Sequence, residues 1–186
     1  MLKTALIVLD FINGINQRDD FKGFLEKHHT LEKANQLIAD ARKKQELIVF
    51  VKVGFSDSYV ELAYRSPIFK HNKPNHWLKL SESSTDFDSK LDYRKSDIVL
   101  IKHRINAFYG TPLEAILSVN QIEQLILCGI STNYAVESTA RDAHDRNYAV
   151  TIAKDACASN NEENQEKSLS ILSTMAEVKT VAEIIQ

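Results

Sequence analysis

Short, nearly continuous apolar runs alternate along this chain with stretches in which apolar positions recur every three or four residues. The first run, residues 3–9, ends at Asp10, the pattern of a strand buried on both faces with a carboxylate at its C-terminal end. A helix is predicted over residues 24–44, where Leu31, Ala34, Leu37, Ile38 and Ala41 share one face, and a second strand over 47–53. A third strand at 97–101 runs into Lys102-His103-Arg104. Thr111-Pro112 then opens a helix, with threonine as the cap and proline at the first helical position. The fourth strand, 124–128, turns at Gly129 and enters a helix through Ser131 and Thr132, both good N-cap residues, that runs to about residue 146. A strand at 148–153, a helix at 162–175 and a short strand at 178–181 complete the series. Strands that alternate with helices imply an α/β architecture with a parallel sheet and helices on both faces.

The alternation loosens between residues 54 and 96. A structureless loop of that length does not suit a compact domain, so short helices are expected there, one of them over 58–64. The tract 81–84 is polar and reads as a solvated loop. Phe55, Phe69, Trp77, Phe87 and Tyr93 fall within this segment, and part of it is expected to fold over a pocket or a partner subunit. That exposure predicts a homo-oligomer, a dimer or tetramer.

Composition narrows the function more than it changes the fold. The 186 residues suit one domain spanning 1–186, and 44% hydrophobic with 26% charged residues is ordinary globular composition. A formal net charge of −2, with both signs interspersed, offers no basic face. Nucleic-acid and membrane partners are therefore disfavoured, and a small-molecule substrate is the expected partner. The first apolar run is too short for a secretory leader and no run reaches membrane-spanning length, so the reading is cytoplasmic. Cys128 and Cys157 both lie at apparent buried strand ends without ligand spacing, and read as small buried hydrophobes.

In parallel sheets of this kind, ligands bind beyond the C-terminal strand ends where the strand order reverses. The residues just past strands one, three and four are Asp10, Lys102 and the turn leading to Ala135. A carboxylate, an ammonium and the amides of a helix's first turn, about Asn133 to Ala135, are therefore expected to converge. Arg104 points the same way if strand alternation continues that far, and either Lys102 or Arg104 is a candidate to bind a substrate carboxylate.

Asp10, the stretch from Lys102-His103-Arg104 through Phe108-Tyr109-Gly110-Thr111, and Gly129-Ile130-Ser131-Thr132-Asn133-Tyr134-Ala135-Val136-Glu137-Ser138-Thr139-Ala140-Arg141-Asp142-Ala143 together resemble the isochorismatase-like hydrolases. The resemblance extends over essentially the whole chain, Asp155-Ala156 after the fifth strand included. It implies a three-layer α/β/α, Rossmann-like fold with a six-stranded parallel sheet, and a site built on an Asp-Lys-Cys triad in most members. Asp10 and Lys102 match the first two positions, and the third is Ala135, whose methyl group can neither attack nor donate. The resemblance also implies a cis peptide bond at Ile130-Ser131, an oxyanion pocket at the amides near Tyr134 and Ala135, and Phe108 beside the substrate. Isochorismatases proper resemble this chain in lacking the cysteine, and cleave a vinyl ether without a covalent intermediate. Ile12 departs from the glutamine that many members carry two residues after the aspartate.

The expected activity is thus that of a cofactor-free hydrolase in which Asp10 is the general acid or base and water the nucleophile, on a carboxylated substrate with a vinyl ether or amide-like bond. Two alternatives accompany it: a non-catalytic small-molecule-binding or scaffold protein that kept the fold, and a cysteine amidase whose nucleophile was replaced by Ala135. Metal-dependent relatives carry Asp-x-His after the second strand, where this chain reads Val53-Gly54-Phe55-Ser56-Asp57-Ser58, so no catalytic metal is expected. The histidine pairs His28/His29 and His71/His76 read as surface residues. Simpler roles compete throughout: a strand-end salt bridge for Asp10 and Lys102, a helix former at Ala135, core aromatics at Phe108 and Trp77. Ser138 and His144 lack a nucleophile-elbow motif around them.

Overall fold

The computed structural model describes residues 2–186. Six strands, β1 (Thr4–Leu9), β2 (Leu47–Val53), β3 (Ile98–Lys102), β4 (Gln124–Ile130), β5 (Ala149–Ala158) and β6 (Glu177–Lys179), form one sheet in the order β3-β2-β1-β4-β5-β6, every neighbour parallel. From β1 the chain first builds outward to β3, then returns to the other side of β1 with β4. The order reverses between β1 and β4. All of β1 beyond its first residue is buried, as its unbroken apolar run requires of a strand with helices on both faces.

Helices α1 (Asn13–Asn16), α2 (Asp19–Lys27) and α3 (Thr30–Lys44) connect β1 to β2; α4 (Leu113–Val119), α5 (Glu137–Asp145) and α6 (Glu162–Leu172) make the later crossovers, and α7 (Val181–Ile184) follows β6. Right-handed crossovers that travel in opposite directions from the reversal place α3 and α5 on opposite faces. Accordingly α3 packs with α7, and α5 with α6.

Several expected elements are corrected. The single helix over 24–44 is two: α2 starts earlier, burying Phe21 and Leu25, and His29 (φ 52°) breaks the right-handed path before α3. Between 54 and 96 there is no α-helix among the described residues, only a 3-10 turn at Ser83–Thr85. Positive φ at Tyr59, His76 and Leu78 interrupts any helical run, and the segment is held by local turns. Its apolar residues Phe55, Tyr59, Leu62, Phe69 and Leu78 form a second, smaller core with Ile12 and Val53. Strand β5 continues past the expected end to Ala158, and within it the Asp155 carboxylate accepts the N–H of Val181, the first residue of α7, at 2.7 Å. Pro112, not Thr111, is the cap residue of α4, although the Thr111 hydroxyl still accepts the Leu113 N–H at 3.2 Å. Both cysteines are free and buried.

Candidate active site

Asp10 stands where β1 leaves the sheet. Its own N–H still follows the ladder, donating to the Val51 carbonyl at 2.9 Å, but its φ of 54° is left-handed. One carboxylate oxygen accepts the Val53 N–H at 2.7 Å and the other takes the Lys102 ammonium at 2.6 Å. Val53 and Lys102 are register partners on β2 and β3, so the sheet itself sets this triangle. Asp10 and Lys102 are 2% and 1% exposed, which makes the pair a buried one. Burial pushes the Asp10 carboxyl above its ordinary value; the charge and hydrogen bond of Lys102 and the Val53 amide oppose this only in part.

The Lys102 ammonium also donates to the carbonyls of Arg104 at 3.1 Å and Ile105 at 3.0 Å. With Asp10 these take all three N–H donors that an ammonium has. Lys102 is therefore built into the floor of the site and has no donor left for a substrate carboxylate.

Beside it, β4 ends at Ile130, the Ile130–Ser131 peptide bond is cis, and the chain enters a π-helical turn, Thr132–Val136, ahead of α5. The Ser131 carbonyl accepts from both Tyr134 N–H (3.1 Å) and Val136 N–H (3.2 Å). Tyr134 is thus not the open amide expected, whereas the Ala135 N–H makes no hydrogen bond outside its own turn among the described residues. Ser131 contributes no side-chain cap; its hydroxyl pairs with Asn133, which also accepts from Ser159 at 3.1 Å. From behind, the Thr132 hydroxyl donates to Gln165 at 2.6 Å, and the Gln165 amide reaches the Cys157 carbonyl at 3.2 Å. Gln165 and Ser168 are buried polar residues on one face of α6 that brace the turn. In the sequence they look like any solvated helix face.

A cavity of about 300 Å³ opens in front of these groups. Asp10, Lys102, Ala135, Ile130, Ser131 and Tyr134 all line it. Its outer walls come from residues without a motif: Phe69, Trp77 and Leu78 of the 54–96 segment, and Ile15, Arg18, Asp20 and Phe21 around the start of α2. The only legible signal for them was the density of aromatics. Arg104 and Phe108 lie elsewhere. Strand alternation stops at Lys102, and the Arg104 guanidinium donates to the carbonyls of Glu61 (2.8 Å) and His103 (2.6 Å). Phe108 belongs to the main core, stacked on Tyr148 with the Arg146 guanidinium 4.8 Å above its ring. Neither cysteine lines the cavity, and burial pushes the Cys157 thiol up to about 12 and the Cys128 thiol upward as well, so neither is a thiolate near neutral pH. Among the described residues no three His, Cys, Asp or Glu side chains gather in a way that could hold a metal ion.

The model of the isochorismatase domain matches residues 4–183. The chain belongs to the isochorismatase family. It is 36% identical to the isochorismatase family protein YecD of Escherichia coli O157:H7, over 98% of this chain and 94% of the relative. It is 31% identical to the ureidoacrylate amidohydrolase RutB of Klebsiella pneumoniae, over 83% of this chain and 72% of that one. Among solved structures, an isochorismatase family protein from Burkholderia thailandensis superposes with a TM-score of 0.85 at 26% identity, over 98% and 94% of the two chains. The six-stranded parallel α/β fold is that of isochorismatase structures, and homologues in the family are hydrolases. Within the family frame, the cavity lies where the strand order reverses, between the C-terminal ends of β1 and β4.

Proposed function

We propose that this isochorismatase-family chain hydrolyses a small carboxylated substrate without a covalent enzyme intermediate, Asp10 carrying the proton and water supplying the hydroxyl. The observation that carries this reading is the buried Asp10–Lys102 pair, 2.6 Å apart on the floor of a cavity whose other side is the Ala135 turn. The methyl group of Ala135 has no part in bond making, and both thiols are sequestered, which leaves Asp10 as the carboxyl group on the cavity floor beside that turn.

The raised pKa of Asp10 favours an order in which the acid acts first. On a vinyl ether, protonated Asp10 gives its proton to the terminal carbon and the C=C pair forms the new C–H bond. The oxocarbenium ion that results takes the oxygen of water, and a water proton returns to Asp10. The hemiketal then breaks its C–O bond, its hydroxyl proton passing to the leaving oxygen, to give a ketone and an alcohol. Lys102 stabilises the Asp10 carboxylate in the interval and keeps its pKa from climbing out of a useful range. The Ala135 N–H supplies a neutral donor beside the reacting centre.

The test is turnover of isochorismate and of a panel of vinyl ethers and amides by the protein, Asp10→Asn and Ala135→Cys. Asp10→Asn is expected to lower kcat by at least about 100-fold. The rate should fall as pH rises through the Asp10 pKa, because the acid form is the working one. A rate that climbs with pH through that range overturns the acid-first order. If no substrate is turned over while Ala135→Cys creates amidase activity, the hydrolytic reading of the alanine form is wrong.

A further inference from the structure

Among the described residues the cavity has two cations in its lining, one buried and one reaching solvent. Lys102 is 1% exposed with its three donors committed. Arg18 is half-exposed, its side chain 46% accessible in the lining of the cavity. Its backbone is fixed: as the cap residue of α2, its carbonyl accepts the Phe21 and Lys22 amides at 3.0 and 2.8 Å. Its guanidinium approaches two aromatic rings, with Cζ 5.4 Å from the Trp77 ring centroid and 5.7 Å from that of Phe21. Trp77 is itself anchored, its N–H donating to the Asn72 carbonyl at 2.8 Å and its carbonyl accepting the Tyr59 hydroxyl at 2.9 Å.

Beside these rings, Arg18 presents its fork to a carboxylate already. Nε and Nη2 donate to the two oxygens of Asp20 at 2.9 and 2.8 Å, the paired geometry with which arginine recognises planar carboxylates. Asp20 also lines the cavity. A half-exposed pair of this kind adds little to folding, so exchanging one carboxylate for another costs the protein little. We infer that Arg18 is the carboxylate-binding residue of the site and Asp20 an internal competitor, displaced when the carboxylate of a planar, preferably aromatic or unsaturated, acid enters the fork above Trp77. This rests on the hydrolase reading only for which end of the molecule reacts: the anionic end lies at the mouth on Arg18, and the bond to be cleaved points inward to Asp10. Stacking on Trp77 and Phe21 selects for flatness, and the fork selects for a carboxylate over a neutral amide.

Trp77 is the single tryptophan, so its fluorescence reports on the Arg18 fork directly. Benzoate and benzamide, matched in shape and differing in charge, are titrated into the protein, Arg18→Gln, Arg18→Lys and Asp20→Asn, by tryptophan fluorescence and in parallel by ligand-observed NMR. The wild type should bind benzoate about 10-fold or more tightly than benzamide. Arg18→Gln should abolish that preference, Arg18→Lys should keep only part of it, and Asp20→Asn should tighten benzoate several-fold by removing the competitor. Equal binding or no binding of the two probes, a preference that survives Arg18→Gln, or weaker benzoate binding in Asp20→Asn overturns the inference. Benzoate carries no bond that the site could hydrolyse, so its binding and the effects of the Arg18 and Asp20 variants on it are independent of whether Asp10 performs hydrolysis.

Discussion

Lys102 lines the cavity, but its ammonium is engaged by the protein itself and not open to a ligand. Its charge meets Asp10 at 2.6 Å, and its other donors are held by two backbone carbonyls. In the proposed mechanism it acts by tuning Asp10. Replacing it by a neutral side chain removes the main opposition to the burial of Asp10, so the Asp10 pKa rises further above its ordinary value of 3.8. The folded state then holds that proton over a wider range than the unfolded chain, and stability falls as pH rises from about 4 through the folded pKa. Lys102→Met should therefore cost about 3–5 kcal/mol near neutral pH and markedly less near pH 4. Urea unfolding of both proteins at the two pH values checks this, and an equal loss at each would show that Lys102 serves packing alone. Asp10 and Lys102 could be named from the sequence because strand ends announce themselves in apolar patterning. Arg18, on the other hand, had no pattern to announce it, since its inferred role depends on Trp77, 59 positions further along, folding back beside it.

At the scale of elements, the site depends on how closely β4 passes β1. Gly129 lies beside Leu9 at φ +139°, and a Cβ there would sit 2.1 Å from the Leu9 carbonyl oxygen. This close approach precedes the cis bond and the π turn that carry Ala135 into the cavity. Gly129→Ala is expected to destabilise by more than about 3 kcal/mol, since both the contact and the dihedral must change. Gly23 is the contrast: it lies in α2, where an added methyl group would meet nothing within 4 Å, so Gly23→Ala should stabilise by about 0.5–1 kcal/mol. Thermal unfolding of the two variants separates them by sign, and a harmless Gly129→Ala would mean that the strand-to-turn junction has slack. Periodicity revealed that a strand and a helix meet here. It could not reveal the π turn, which hydrogen bonds with Gln165 and Ser168 of α6 brace at Thr132.

The whole molecule has two cores of different character. One fills both sides of the sheet; the other, gathered around Phe55, supports the 54–96 segment that walls the cavity with Phe69, Trp77 and Leu78. Phe55 is fully buried and meets Phe69 edge-on at 5.7 Å. Phe55→Ala should cost about 3–5 kcal/mol and, in hydrogen exchange, loosen residues 59–78 while the sheet keeps its protection. Uniform loss of protection would instead make the two cores one cooperative unit. The sequence alone determined the alternating strands and helices, the parallel sheet and the placing of Asp10, Lys102 and the turn that leads to Ala135 around the strand ends, because burial on two faces and helical amphipathicity are local repeats. Tertiary structure alone decided that Arg104 and Phe108 leave the site, that Lys102 is fully engaged, and that Arg18 and Trp77 share the mouth of the cavity. Those outcomes depend on which distant segments come into contact, and contact between distant segments leaves no period in a sequence.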